Sequence, residues 1–449
     1  MDAFGGYSIG VNLVIGNAVF SANSVSEMTI NFPMGAMPYG RFVLSVPTSM
    51  RISRESGQYG TLMFVNSGHS YLDGRTFSIY IKYIGQRMAT ADLMYITVDW
   101  VMGTPEFMGK QTFAINASTS VDALRDIFKR FGNISVMDMI SASGKRPVDS
   151  MTWRFVNSDA TESANDVVEH SNVPGEYLFW CYDETLSSIK IGGFDQELNT
   201  MGDICVFSRN ALQATGSATI EDSNGGGRLW LYGNEIKDNV RGNARADMFP
   251  EILENAVVGG KADVKGCRGD CFNNVAAQLG AVSPDTAKEM YGIDTSEKTE
   301  VPLVYGNLTS VSEFPLNVHK LYPLATTVRN RLLAEYSKMM KITVYNDLGP
   351  AVGSCVGVMT FLPDLQANGM AVDVEYADKY IVLGKRSTLN RTTSSGILGS
   401  SKPLETPSLE TEITLISNPV SSVAEVTEKA TTLVKSLTDA GLLPENLVG

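Results

Sequence analysis

Histidine and cysteine are scarce in this sequence, with three and five residues respectively in a chain of 449. His69, His170 and His319 lie far apart, and none has the spacing with which a helix or hairpin presents metal ligands. His170 falls at a predicted helix end, where an imidazolium simply complements the helix dipole. Cys181, Cys205, Cys267, Cys271 and Cys355 are odd in number and dispersed, which suits reduced thiols rather than a disulfide framework. Cys267 and Cys271 have no second Cys or His pair nearby, so they read as free thiols rather than half a zinc site. Cations are also in short supply: Lys plus Arg is 36 against 49 for Asp plus Glu, a net charge of −13. Such a chain does not gather nucleic acid non-specifically, because phosphate neutralisation needs clustered cations. No apolar run reaches the ~18 residues of a spanning helix, so no membrane segment is expected. Met1-Asp2-Ala3-Phe4-Gly5-Gly6 has neither a basic nor an apolar stretch of the secretory kind. With no signal expected, the Asn-x-Ser/Thr triplets at Asn116, Asn133, Asn307 and Asn390 read as chance.

Catalytic signatures are missing too. There is no Gly-x-Ser-x-Gly elbow. Val257-Val258-Gly259-Gly260-Lys261-Ala262 falls short of a phosphate loop, since Asn255 stands where the first glycine belongs and Ala262 replaces the Mg²⁺-binding hydroxyl. Asp222-Ser223-Asn224-Gly225-Gly226-Gly227 lacks the closing glutamate of a calcium loop and reads as a hairpin tip. No paired acidic motif of the glycosidase kind stands out. The expectation is a non-enzymatic protein with no cofactor and no metal.

What is present is strand and helix patterning. Apolar residues make up 43% and charged residues 19%, the balance of a folded chain, and the length suggests about three domains. Phe77, Ile79, Ile81 and Tyr83 alternate with polar neighbours, and so do Met94, Ile96, Val98 and Trp100, the period-two signature of half-buried strands. Turn-forming stretches between such runs suggest a small barrel or sandwich over the first hundred residues.

After about residue 105 the pattern turns helical. Thr119-Ser120-Val121-Asp122 opens a helix carrying Val121, Leu124, Ile127, Phe128 and Phe131, and Gly132 ends it. A second helix starts at Asp159 with Glu162 three residues on, and includes Ala164, Val167 and Val168. Strands are expected at Tyr177–Trp180 and Ser188–Ile191, joined by a polar turn near Asp183-Glu184. Strand character returns over 204–236, with Ser217–Ile220 and Arg228–Tyr232 flanking the glycine-rich tip. Residues 241–327 are loop-rich with short helices and read as an insertion. A helix near 328–340 carries Val328, Leu332, Leu333, Tyr336 and Met339, and strands follow at Lys341–Tyr345, Val356–Phe361, Lys379–Leu383 and Glu412–Ile416. Ser387 to Ser408, rich in Ser, Thr, Gly and Pro, reads as a long loop. Beyond Asn418-Pro419, the residues Val423, Val426, Ala430, Leu433, Leu437 and Ala440 step by three and four through a final helix. That seam either packs on its own domain or meets a neighbouring subunit or partner; Val423, Val426, Ala430, Leu433 and Leu437 are the candidate interface.

The order of elements resembles the central baseplate hub proteins of contractile-tailed bacteriophages. Two stretches hold the likeness. Ser120–Gly132, then Met151-Thr152-Trp153-Arg154-Phe155, then the strands around Phe179-Trp180 and Ile189–Ile191, are similar to the middle module of that family. Arg331-Leu332-Leu333 through Lys341–Val344, then Lys379–Arg386 and Glu412–Leu415, are similar to its closing barrel. The resemblance implies a mainly β protein with α+β content. Residues 1–105 would form a first tube-like β-barrel, 106–200 an α+β module, and 201–240 with 328–418 a second tube-like barrel. An insertion at 241–327 and a C-terminal amphipathic helix and tail at 419–449 complete the chain. It also implies a homotrimer in which two barrels per chain match a six-fold tail tube to a three-fold central spike. Its partners would be the tail tube protein, the spike protein and other baseplate proteins, in the virion after assembly in the host cytoplasm, with genomic DNA passing through unbound. Two other readings stand beside it: a tail-tip or tube-associated protein of another tail or secretion apparatus, and an enzyme degrading envelope polysaccharide.

Overall fold

The computed structural model describes residues 10–21, 24–50, 59–65, 76–132, 134–138, 140, 151–169, 171, 178–184, 186–201, 203–207, 217–221, 228–232, 338–345, 348–364, 369–372, 377–390, 408–417 and 423–439. The protein is mainly β with an α+β part.

Among the described residues, seven strands make the first β-block: β1 (Gly10–Ile15), β2 (Ala18–Phe20), β3 (Val25–Pro33), β4 (Tyr39–Pro47), β5 (Tyr59–Val65), β6 (Thr76–Met88) and β7 (Leu93–Met102). They are hydrogen-bonded in the order β3-β4-β7-β6-β5-β1-β2, antiparallel throughout. Alternation sorts their side chains. Phe42, Leu44 and Val46 of β4 and Met94, Ile96, Val98 and Trp100 of β7 are buried on one face. Phe42 stacks on Trp100 with ring centroids 5.5 Å apart. Gly40 lies against that pair, where a Cβ would meet the Thr29 carbonyl at 2.2 Å and the indole at 2.7 Å. Tyr83 departs from the sequence pattern. A register shift between Ile81 and Tyr83 turns it to the outer face, 57% exposed, while Phe77, Ile79 and Ile81 stay inside.

The α+β part follows. A single 3-10 turn, Pro105–Met108, leads to β8 (Gln111–Ala117), α1 (Ser120–Arg130), β9 (Val136–Asp138), β10 (Met151–Ser158), α2 (Ala160–Glu169), β11 (Leu178–Asp183), β12 (Ser188–Gly193) and α3 (Phe194–Leu198). Both long helices begin as their sequences suggest. Thr119 accepts from the Asp122 amide at 3.1 Å. Asp159 and Glu162 exchange reciprocal bonds, Glu162 N to Asp159 Oδ1 at 2.9 Å and Asp159 N to Glu162 Oε2 at 3.1 Å. The β8–β10 ribbon lays Phe113 against Phe131 and Phe155, at 5.4 and 4.8 Å. The hairpin β11–β12 is buried on both faces, and β9 joins it in parallel.

The second β-block contains β13 (Asp203–Phe207), β14 (Ser217–Glu221), β15 (Arg228–Tyr232), β16 (Lys338–Tyr345), β17 (Cys355–Asp364), β18 (Gly369–Val372), β19 (Asp378–Asn390) and β20 (Ser408–Ser417). The path β14-β15-β13-β17-β19 is extended by β20 and then β16, while β18 pairs with β17. Strand β13 runs parallel to both of its neighbours. Two expectations are corrected here. Lys338, Met339 and Met340 are strand rather than helix, because they ladder with Ser417, Ile416 and Leu415. Residues 387–390 are strand rather than loop, because they are paired on both edges; the buried hydroxyls of Ser387 and Thr411 also bond to each other at 2.9 Å. The 241–327 insertion, the glycine-rich tip, the apolar residues read as a helix over 328–336, all three histidines, and Cys267 and Cys271 lie outside the described residues.

The last helix, α4 (Val423–Asp439), packs against the second block. Val426, Ala430 and Leu433 are buried and Val423 is half-buried, whereas the Leu437 side chain lies outside the described ones. Gly357 of β17 lies under this corner of the fold: a Cβ there would sit 2.7 Å from Ile204, 2.8 Å from Met201 and 3.1 Å from Val426 of the helix. Lys379 of β19 pairs with Glu425 at 2.8 Å.

Candidate functional site: a joint between the two β-blocks

Strand β19 belongs to both blocks. Ile381 lies opposite Cys355 of β17 on one edge and Ile416 of β20 on the other. Strand β20 keeps its edge to the end, with Asn390 opposite Ser408. On the other edge β17 leaves at Ile381, and β3 of the first block takes its place from Gly384 opposite Pro33 to Asn390 opposite Glu27. A fifteen-stranded sheet therefore runs through both blocks. The handover falls where the β19–β20 register shifts between Val382 and Gly384. Further main-chain bonds span the handover: Met34 N donates to Leu383 O at 2.9 Å, Gly353 N to Val382 O at 2.8 Å, and Val382 N to Ser354 O at 3.0 Å.

The α+β part is fastened to the same place. Met34 forms an isolated bridge to Cys181 of β11, and Gly35 N donates to Trp180 O at 2.8 Å. Asn165 of α2 ties these together, donating to Gly35 O at 3.0 Å and accepting from the Trp180 indole at 2.9 Å. Beyond Asp183 the chain turns through Glu184, which the sequence reading placed in an ordinary polar turn. The turn is there, but its glutamate is not at the surface. Glu184 is 1% exposed and its carboxylate bonds to Lys385 of β19, itself fully buried. The same ammonium reaches Gly349 O at 3.4 Å and lies 5.0 Å over the Phe32 ring. Burial pushes the Glu184 carboxyl above its ordinary value, and the charge of Lys385 opposes that rise. A second buried lysine, Lys190 of β12, bonds to Glu197 of α3 at 2.8 Å and to Gly353 O at 2.9 Å. Gly353 cannot readily be anything else. Its φ is +76°, and a Cβ would lie 2.6 Å from Cys181 Sγ and 2.8 Å from Phe179.

The chemistry of this joint is mechanical. Each ammonium is spent on a carboxylate and a loop carbonyl, which is how a buried charge is tolerated. Two cysteines near it are poor nucleophiles: burial pushes the Cys355 thiol up to about 12 and raises that of Cys181 further. Among the described residues no group of three or more His, Cys, Asp or Glu is arranged to hold a metal ion, and no helix is long and apolar enough to cross a membrane. Of the five seam residues suggested as an interface, Val426, Ala430 and Leu433 are occupied by the chain's own sheet. Sequence reasoning missed Glu184, Lys190 and Lys385 altogether. The one available signal was that each lies in or beside a strongly apolar strand.

No family model and no curated protein sequence matches the chain. Solved structures similar to it include a tail protein from Neisseria meningitidis MC58, at 10% identity and TM-score 0.46, covering 93% of this chain and 99% of that one. The prophage tail protein gp18 from Listeria monocytogenes EGD-e gives 9% identity and TM-score 0.39, covering 95% and 99%. An E. coli component of the type VI secretion system, described as structurally similar to T4 bacteriophage tail proteins gp27 and gp5, gives 9% and 0.41, covering 92% and 75%. At this level of similarity no residue's role passes from those proteins to this chain.

Proposed function

We propose that this chain is a structural, non-catalytic hub of a phage tail or a related tail-like apparatus, built to present two tube-like β-barrels as one rigid piece. The observation that supports this reading is the sharing of β19 between the blocks. Loosely tethered barrels would not hold a fixed angle, whereas a main-chain ladder sets both their separation and their rotation. Three such chains would supply six barrels, letting a three-fold spike on one side meet a six-fold tube on the other. Ring closure needs a heterologous contact, in which one end of the ladder path in one copy meets the opposite end in the next. The path ends at β2 in the first block and β14 in the second, and Val19 of β2 is 63% exposed. In this arrangement the tail tube protein, the spike and other baseplate proteins would be the partners. The acidic balance of the chain would keep DNA moving through the bore rather than binding it. Light scattering of the purified chain, alone and with a candidate spike protein, tests the proposal. A three-copy particle that binds the spike is expected. A stable monomer that binds no tail component would reject the hub.

A further inference from the structure

The α+β part has an edge that the joint does not use. Strand β8 pairs with β10 on one side, and among the described residues no strand lies on the other. An open groove of about 510 Å³ follows that second side, lined by Ala114, Ile115 and Asn116 of β8 and by Asp126, Lys129 and Arg130 of α1. Consecutive strand residues point to opposite faces, so a space touching all three runs along the strand's edge rather than over a face. Its floor is therefore main chain with outward N–H and C=O groups, and its wall is the exposed side of a helix. That is the shape in which an extended peptide adds as a further strand.

Charge selects the occupant. Lys129 and Arg130 flank the groove against a single Asp126, and exposed Arg154 stands opposite Ala114 on the ribbon's outer face. Arg130 is held in place, donating to Gln111 Oε1 at 3.0 Å and lying 4.7 Å over the Phe113 ring. Two copies pairing β8 to β8 would bring these cations together, which disfavours self-association at this edge. We infer that the β8 edge is a docking site for an extended, acidic segment of a different protein, bound by strand addition. The inference stands on this groove alone and does not depend on the hub reading.

The test uses the full chain and a fluorescent peptide of alternating Glu and Val, capped at both ends and as long as β8. The expected result is saturable binding at low salt, with slowed amide exchange confined to 111–117. Replacing Glu by Lys in the peptide, or making the exposed double substitution Lys129→Glu/Arg130→Glu, should weaken binding about tenfold, the worth of two exposed charge pairs. N-methylating alternate peptide amides should abolish it. An unchanged melting curve for the double variant confirms that the groove and not the fold was altered. Equal binding by the N-methylated or Lys peptide, no binding by the Glu peptide, or outer-edge amides of β8 already protected in the free chain would each overturn the inference.

Discussion

The two attachments at the centre of this molecule work by different physics. The β-blocks are joined to each other by main chain, along the β3–β19 ladder. The α+β part is held to them by a short main-chain contact, the Met34–Cys181 bridge and Gly35 N to Trp180 O, and otherwise by side chains: the Lys385–Glu184 pair, Lys190 reaching Gly353 O, and Asn165 reaching Gly35 O. A ladder tolerates sequence change, because every residue except proline brings the same N–H and C=O groups. A buried ion pair does not, because removing one partner strands the other away from water. The first attachment should be robust to single substitutions and the second fragile.

The largest effect should come from Lys385→Met, which leaves Glu184 buried without its cation and should cost about 3–5 kcal/mol in denaturant unfolding. Adding Glu184→Leu should recover most of the loss, since an apolar pair of similar volume is nearly neutral. The pH dependence of the single variant has a definite sign. The folded carboxyl titrates above its ordinary 4.5, so protonation favours the folded state. The deficit should be smallest below that value and grow as pH rises through the folded one. A pH-independent deficit would show that Glu184 is not the stranded group.

Gly353→Val comes next. It drives a side chain into Cys181 and Phe179 from a left-handed backbone and should cost ~2–3 kcal/mol. Asp159→Ala, which removes one half of the α2 capping box away from either attachment, should cost about 1 kcal/mol. Its partner Glu162 has a carboxyl held below 4.5, first by its bond to Lys110, so what Glu162 adds is present above that pH and fades as pH falls further. At the tolerant extreme, Glu27→Thr on the exposed side of the β3–β19 ladder should stay within about 0.5 kcal/mol.

The same contrast explains what the sequence disclosed. Period-two alternation identified β6 and β7, and helical spacing with capping residues identified α1 and α2, because those patterns record burial that the chain must satisfy locally. Tyr83 escaped, since one bulged residue reverses every later side chain and leaves no mark in composition. The strand at Lys338–Met340 was hidden because it follows residues of helical spacing and depends on β20, far along the chain, for its partner. Lys385 and Glu184 are 201 positions apart in the sequence and look individually like surface charges; only the fold brings them together. The parallel pairing of β13 and the handover on β19 are likewise products of topology rather than of local pattern.

Residue-resolved amide hydrogen exchange along β3 and β19 tests the shared-strand account most directly. If the blocks form one sheet, the amides of residues 27–32 and 384–390 should exchange together, in the slowest class of the protein, and respond equally to denaturant. Rapid exchange of β3 as a free edge, with β19 still protected through β20, would mean the two blocks are separate bodies.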